Sequence, residues 1–256
     1  MRGVVVCKPG SESVAGEVID FLETSGYSAD MIVDSCEECE GYDFIVTVGG
    51  DGTILRTLQR VRECPPIFGI NTGKVGLLTH ATPENFREKL ILALSEMNVE
   101  EFMRVECEGL IALNEIALLT AMPARLVEFS ISVDGVEIER MRSDGLLIST
   151  PIGSTAYALS TGGPIIDPRV ECLLIVPVAP FKLGWKPWVV GRNRRVEVEV
   201  VSRQCLAIAD GHTTLQIEPG TVLSFRKSRY PARFFRFENR IGKIVRMLKN
   251  LSCSDF

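Results

Sequence analysis

Short apolar runs and helical stripes alternate through the first hundred residues. Gly3-Val4-Val5-Val6-Cys7 has strand character, and Val14, Val18, Ile19 and Leu22 within residues 11–23 share one face of a helical repeat. Gly26 suits the left-handed position just past that helix, and residues 29–33 form a second strand. Residues 43–48 are the clearest buried strand and run directly into Gly49-Gly50-Asp51-Gly52-Thr53. Ile54, Leu55, Leu58 and Val61 then recur at helical spacing, Pro65-Pro66 ends the helix, and residues 67–70 form another strand. Thr82-Pro83-Glu84 supplies the hydroxyl, proline and acid of a helix start, with Phe86, Leu90, Leu94 and Met97 continuing the face. Strand–helix alternation predicts a parallel sheet with helices on both faces.

Beyond about residue 99 the period changes from helical to alternating. Phe129, Ile131 and Val133 alternate with polar residues up to Asp134-Gly135, and Val136 and Ile138 resume the alternation, which predicts a hairpin. Residues 196–200, 205–209, 214–217, 222–225 and 233–237 are further short strands punctuated by Gly and Pro. Ile241, Ile244, Val245, Leu248 and Leu251 make an apolar stripe on a final helix, which must be covered and is expected to dock on the first domain. The predicted fold is α/β plus all-β: a Rossmann-like parallel α/β domain over residues 1–98, an antiparallel β-sandwich domain over 99–237, and a helix over 238–256 that packs back on the first.

Length and charge narrow the function classes. A chain of 256 residues has room for two modest domains, and 46% hydrophobic with 24% charged residues is a globular composition. The formal net charge of −5, without a dense Lys/Arg run, argues against nucleic acid or an anionic membrane as partner. Residues 145–166 carry no charge and are long enough for a bilayer, but their Gly, Pro, Ser and Thr content excludes a membrane helix. Residues 1–10 hold too few apolar positions before Lys8 and Pro9 for a signal peptide, so a cytoplasmic location is expected. Among eight cysteines only Cys36 and Cys39 are closely spaced, and with His80 and His212 the sole histidines no zinc pattern forms; reduced thiols are expected.

The Gly49–Thr53 segment lies where a buried strand meets a helix, the place where open parallel sheets collect ligands. Its glycines let backbone approach a phosphate, and the following helix offers unsatisfied amides and a positive dipole end. Asp51 repels a phosphate unless it faces a hydroxyl nucleophile or a bridging Mg²⁺, so its presence is the informative feature. The bland alternative is a glycine turn with a solvated acid. Neither a Walker A loop nor a GxGxxG fingerprint is present. The segment resembles the superfamily of GGDGT kinases, which includes NAD kinases, diacylglycerol and sphingosine kinases, and 6-phosphofructokinases.

Further motifs choose among these. Asn71-Thr-Gly-Lys-Val-Gly-Leu-Leu-Thr79, Asn114-Glu115, and the run from Asp144 through Gly153-Ser-Thr-Ala-Tyr157 to Ser160 and Gly162-Gly163-Pro164 look like the successive motifs of the NAD kinase family. With Asp210-Gly211 and the helical C-terminus the resemblance covers nearly the whole chain, and it is nearest the archaeal branch. It implies transfer of the γ-phosphoryl of ATP, or of inorganic polyphosphate, to the adenosine ribose 2′-hydroxyl of NAD, giving NADP. Mg²⁺ would accompany ATP, no prosthetic group would be bound, and the assembly would be a homo-oligomer. Carried over by residue, Asp51 would be the base beside that hydroxyl, and Gly49, Gly50, Thr53 and Arg56 would line the phosphates. Gly52 would lie against phosphates of NAD; Asn114 and Glu115 would contact its adenosine part, and Thr155, Ala156 and Tyr157 would wall the adenine and ribose. Asp144 and Ser160 would face the nicotinamide end, with Asp210 and His212 at the same pocket.

Several of these positions have plainer readings. Arg56 and Lys74 are equally candidate phosphate partners and ordinary surface charges. Asn114-Glu115 can also be a satisfied polar pair at a strand edge. The hydroxyl-rich residues 149–161 offer donors and acceptors to a polar ligand, or form a surface loop. Ile152 stands where the family usually has Thr or Ser, which removes one hydroxyl contact worth about 1 kcal/mol. The competing functions are a diacylglycerol-type lipid kinase and a dinucleotide sensor without turnover.

Overall fold

A computed structural model of the chain describes residues 1–34, 39–73, 76–182, 184–236 and 240–252, without the side chains of 250–252. Two compact units are formed, one from Met1–Glu101 with Tyr230–Phe256 and the other from Phe102–Arg229. The first begins with β1 (Arg2–Cys7), α1 (Glu12–Thr24), β2 (Ser28–Val33), β3 (Phe44–Gly49), α2 (Asp51–Arg60), β4 (Ile67–Asn71), α3 (Phe86–Glu96) and β5 (Val99–Phe102). The second holds β6 (Val105–Cys107), β7 (Leu110–Ala112), β8 (Glu115–Thr120), β9 (Val127–Val133), β10 (Val136–Ser143), β11 (Gly145–Ser149) and the short helix α4 (Tyr157–Ser160). It continues through β12 (Cys172–Val178), β13 (Trp188–Gly191), β14 (Val196–Val200), β15 (Cys205–Ala209), β16 (Thr213–Ile217) and β17 (Val222–Lys227). The chain then completes the first unit with β18 (Ala232–Phe235) and α5 (Arg240–Ser252).

In the first unit the sheet runs β2-β1-β3-β4-β18-β5, with β1 parallel to both β2 and β3 and β3 parallel to β4. The order reverses at β1, so the carboxyl ends of β1 and β3 flank a topological switch point. Phe68 and Ile70 of β4 join α1 and α3 in one core, with Val18, Leu22, Phe86 and Leu90 contributing. Gly69, between them, points to the other face, where a Cβ would meet Ile54 of α2 at 2.9 Å. Helices therefore cover both faces, as the alternation predicts. Gly26 ends α1 at φ +86, with Tyr27 N–H closing back onto Leu22 O at 2.9 Å.

Three expectations for this unit need correction. Helix α3 starts at Phe86, not at Thr82: Asn85, at φ −127, is the N-cap residue, and the residues before it form a separate turn closed by the Asn85 N–H on Thr82 O at 3.1 Å and the Thr82 N–H on Asn85 Oδ1 at 2.9 Å. Residues 232–235 pair parallel with β4 and so belong to the parallel sheet, not to the antiparallel domain, since a short apolar run does not encode its partner. On α5 only Ile244 of the expected stripe is buried, at 8% exposure; Ile241 and Val245 remain exposed, and the Leu251 side chain lies outside the described residues. Polar contacts add to the burial of Ile244 in tying α5 to this unit: Arg240 pairs with Glu100 at 2.9 Å and Lys243 donates to Thr79 O.

The second unit is a sandwich of two six-stranded sheets, β10-β9-β14-β17-β6-β7 and β13-β12-β11-β8-β15-β16. Ile116, Leu118, Ile148 and Leu173 of one sheet meet Phe129, Ile131, Val198 and Phe225 of the other in a single core. The opposite face of β11 and β12, through Leu147, Leu174 and Val176, is covered by Ala158 of α4 and Ile166. Burial on both faces explains why Leu146-Leu147-Ile148 reads as an unbroken apolar run. The Asp134-Gly135 hairpin forms as expected, with φ of +50 and +81 at its two turn residues. Cys7, Cys64, Cys107, Cys172 and Cys205 are free and buried. Cys39 is disulfide-bonded, a correction at that position, since bridging depends on proximity in the fold rather than on spacing; Cys36 and Cys253 lie outside the described residues.

A histidine supplements the ladder between β4 and β18, for which a single registered pair, Phe234 with Ile67, is found. His80 Nδ1 accepts the Gly69 N–H at 2.8 Å and Nε2 donates to Phe235 O at 2.8 Å, with the ring stacked on Phe68. Burial, with the nearby charges of Arg240 and Lys243, holds its pKa well below the usual histidine value. The unfolded chain therefore takes up a proton that the folded chain refuses, and stability is lost as pH falls through about 6.5. Urea unfolding at pH 7.5 and 5.5 should show the protein losing about 1.4 kcal/mol more than a His80→Gln variant over that interval. Equal losses would mean that His80 titrates normally in the fold.

Candidate functional site

The first unit places Gly49 at the end of β3 and Asp51 as the first residue of α2, beside the switch point. Gly50 is the N-cap residue, so no side chain caps the start of the helix. Gly49 cannot be replaced without movement, because a Cβ would come within 2.1 Å of the Thr53 hydroxyl. Gly50 and Gly52 have open space around their Cβ positions, which leaves the backbone accessible there. Thr53 is buried, with its N–H on Gly50 O at 3.0 Å.

The Asp51 carboxylate is held on both oxygens. Oδ2 accepts the Leu77 N–H at 2.8 Å and Oδ1 the Leu78 N–H at 3.0 Å. Burial pushes the carboxyl pKa up, and these two amides together with Lys243 and Arg240 oppose that rise. One acceptor site on each oxygen is thus occupied while further lone pairs stay open. The described residues on either side of positions 74 and 75 are closely packed: Thr72 N–H bonds Gly49 O at 2.8 Å, Asn71 Oδ1 accepts from Gly73, and a Cβ on Gly76 would lie 2.2 Å from Thr79 Oγ1. Arg240 and Lys243 were not singled out from the sequence; two cations three positions apart on an amphipathic helix were the available signal. Arg56, one turn into α2, forms an exposed ion pair with Asp34 at the end of β2. Lys74 lies outside the described residues.

In the second unit, Asn114 and Glu115 sit at the turn from β7 into β8, and Asp210 anchors that turn from the end of β15. Asp210 Oδ2 accepts the Leu113 N–H at 2.7 Å, and Oδ1 accepts those of Asn114 and Glu115 at 2.7 and 3.2 Å. Asp210 and Gly211 have φ of +49 and +73, the backbone that turns the carboxylate back under the β7–β8 corner. Glu115 is 8% exposed and its Oε2 has no hydrogen-bond partner. Burial, then the Asp210 charge, pushes its pKa up to about 8. His212 is exposed on the same hairpin turn.

The hydroxyl-rich segment packs beside this corner, and its hydroxyls mostly face inward. Ser149 Oγ donates to Asn114 O at 3.0 Å, Thr150 Oγ1 to Leu113 O at 2.5 Å, Ser154 Oγ to Pro151 O at 2.7 Å and Thr155 Oγ1 to Ile152 O at 3.2 Å. The expectation that these groups are set out for a ligand is corrected for the buried hydroxyls of Ser149, Thr150 and Ser154, which backbone carbonyls capture; Thr155 is half-buried and its hydroxyl oxygen can still accept. Gly153 is required for the same close approach, since a Cβ there would meet Asn114 O at 2.1 Å. Ile152 is buried, whereas Tyr157 and Ser160 on α4 are exposed and Ala156 half-buried. Asp144 is half-buried between β10 and β11, its N–H on Val178 O at 3.0 Å. Each unit thus assembles its own group: the glycine loop with Asp51 in one, Asn114, Glu115 and Asp210 in the other.

Among the described residues, no cluster of three or more His, Cys, Asp or Glu could hold a metal ion, and no helix is long and apolar enough to cross a membrane. A family model for the ATP-NAD kinase N-terminal domain matches residues 5–96, and one for the ATP-NAD kinase C-terminal domain matches residues 113–237. An NAD kinase of Archaeoglobus fulgidus is 45% identical over 95% of this chain and 98% of its own length. One from Methanoregula boonei is 39% identical over 95% and 96% respectively. The crystal structure of an NAD kinase from Archaeoglobus fulgidus in complex with ATP superposes with a TM-score of 0.89 at 44% identity, covering 96% of this chain and 99% of that one. A yeast NADH kinase complexed with NADH, at 22% identity, shares the fold with a TM-score of 0.87, over 100% of this chain and 89% of its own.

The raised Glu115 pKa has a definite sign for stability. The folded chain keeps a proton that the unfolded carboxyl loses above its ordinary value of 4.5, so stability drains away as pH climbs from there to about 8. Glu115→Gln cannot titrate. Its unfolding free energy should exceed that of the parent by an amount that grows across this interval to about 1–3 kcal/mol at pH 7. A pH-independent difference in chemical denaturation would rule out the buried, protonated state.

Proposed function

The chain belongs to the NAD kinase family, and we infer from that membership that it phosphorylates the adenosine ribose 2′-hydroxyl of NAD with the γ-phosphoryl of ATP. Both halves match kinase domains of this family, which disfavours the lipid-kinase and sensor readings. The observation that carries the mechanism is the Asp51 carboxylate, fixed on one side by two backbone amides and open on its remaining lone pairs. The hydroxyl oxygen of NAD attacks the γ-phosphorus, the bond to the bridging oxygen of ADP breaks, and the hydroxyl proton passes to Asp51. Because the transition state is loose, the hydroxyl becomes acidic only late, and a carboxylate of modest basicity suffices when it is correctly placed. The backbone around Gly49 and Gly50 at the start of α2, which no side chain caps, is proposed to hold phosphate oxygens, with Thr53 beside it offering its hydroxyl, since its N–H is taken by Gly50 O.

In the second unit, Asn114 and Glu115 are proposed to read the adenosine of NAD. A buried Glu115 that keeps its proton can donate a hydrogen bond as well as accept one. Asp210, whose oxygens are taken by the amides of residues 113–115, acts by fixing that corner. Thr155, Ala156 and Tyr157 would contact base and ribose, and Asp144 and Ser160 the nicotinamide end. Mg²⁺ would enter with the triphosphate, whose oxygens would supply most of its ligands. Bound there, the ion would neutralise charge on the transferred group. Arg56 would reach a phosphate only by leaving Asp34, an exchange open to an exposed ion pair.

Incubation with NAD, ATP and Mg²⁺ should yield NADP and ADP, and chelation of the metal should stop the reaction; the same assay with polyphosphate and NADH as alternative substrates reports donor and acceptor range. Asp51→Asn should lower kcat by about 10²–10⁴-fold while Kd for NAD, measured by calorimetry, changes little. Near-normal turnover in that variant would remove Asp51 from the role of base.

A further inference from the structure

The segment that supplies amides to Asp51 is itself gripped from its other edge by cations. Arg240 Nη1 donates to Leu77 O at 3.3 Å, Lys243 Nζ donates to Thr79 O, and Lys89 Nζ of α3 donates to His80 O at 3.0 Å. Leu77 O and the Leu78 N–H belong to one peptide unit, which is planar and trans, so its carbonyl and its N–H point in opposite directions. Arg240 therefore sits at one edge of that plane and the Asp51 carboxylate, at 3.0 Å, at the other. Charge on both edges polarises the amide in the same sense and strengthens its bond to the carboxylate.

Arg240 is well placed to act as an anchor. Its pairing with Glu100 at 2.9 Å is between side chains only 13% exposed, and its guanidinium lies 5.1 Å from the ring centre of Phe234. Lys243, three residues on and therefore on the same helical face, fixes the next carbonyl but one. Apolar docking accounts for only part of the position of α5: Ile244 is buried and Leu248 half-buried, whereas Ile241 and Val245 are exposed.

We propose that Arg240 and Lys243 are positioning residues for phosphoryl transfer, setting the Asp51 carboxylate by holding the segment that supplies its amides, Arg240 at the Leu77–Leu78 peptide and Lys243 at the Thr79 carbonyl just beyond it, so that the C-terminal helix forms part of the catalytic apparatus without touching substrate. The proposal rests on the reading of Asp51 as base. Both cations also favour the ionised carboxylate against the burial that opposes it.

Two variants test it. The double variant Glu100→Met with Arg240→Met removes the buried pair together, leaving no unpaired charge behind, and Lys243→Met removes the second grip. In each, kcat should fall at least about tenfold with KM for NAD and ATP within about twofold, and amide hydrogen exchange at Leu77 and Leu78 should quicken. Lys243→Arg, which keeps a cation within reach, should restore both. If kcat stays near the parent value, or falls without any change in exchange at those two amides, the proposal is wrong. Should the double variant fail to fold, Lys243→Met decides by the same two readouts. Measuring Asp51→Asn alongside separates the two layers: an active Asp51→Asn overturns the base itself, whereas an inactive Asp51→Asn beside fully active helix variants overturns only the positioning.

Discussion

A carboxylate among amides suited to phosphate stays in place only if something holds it against the repulsion of an incoming anion. In this protein the Leu77 and Leu78 N–H groups do so, one on each oxygen of Asp51. Much of the first unit is arranged around that pair of bonds. The sheet reverses order beside the end of β3, which opens space for the loop; Gly49 and Gly76 admit neighbouring side chains at distances no Cβ would tolerate; and Asn71 ties the intervening turn. The carboxylate is consequently neither a free surface acid nor a buried one with every acceptor site taken, which is the condition a general base at a hydroxyl requires.

The second unit uses the same device for a different end. Asp210, held in left-handed backbone, gathers the amides of Leu113, Asn114 and Glu115 and so fixes the corner between β7 and β8. Hydroxyls of Ser149 and Thr150 fill the carbonyls on the other side of that corner. Glu115 Oε2 is a buried polar atom without a hydrogen-bond partner among the described residues, and its raised pKa follows from being kept out of water next to another acid. Rigid backbone with one unspent side-chain group is a reasonable construction for reading a polar ligand.

Local signals were readable where a single interaction settles the matter. The left-handed glycine after α1, the Asp134-Gly135 turn and the apolar runs of β1, β3 and β4 all formed as the residue pattern indicates. Readings failed where two local signals compete or where the partner is remote. Thr82-Pro83-Glu84 looks like a helix start, yet the side chain of Asn85 closes a turn first. The run ending in Phe235 is strand-like in any context, and only the long-range choice between β4 and an antiparallel neighbour gives it a place. The hydroxyls of residues 149–155 are ligand-like in composition, and their inward aim depends on carbonyls more than thirty residues away for Ser149 and Thr150. Their direction has no local signature.

By itself the sequence determined most element types, the two-part plan and the place of the glycine loop between β3 and α2, because these depend on backbone freedom and periodicity, which act over a few residues. Its motifs also sufficed to indicate the family. Tertiary structure alone decided what the acid is bonded to. The amides of Leu77 and Leu78, the cations of α5 and the grip of Asp210 on residues 113–115 join positions 26 to 164 residues apart. Which distant peptide groups meet a carboxylate is set by the way sheets and helices pack, and no short-range pattern records it.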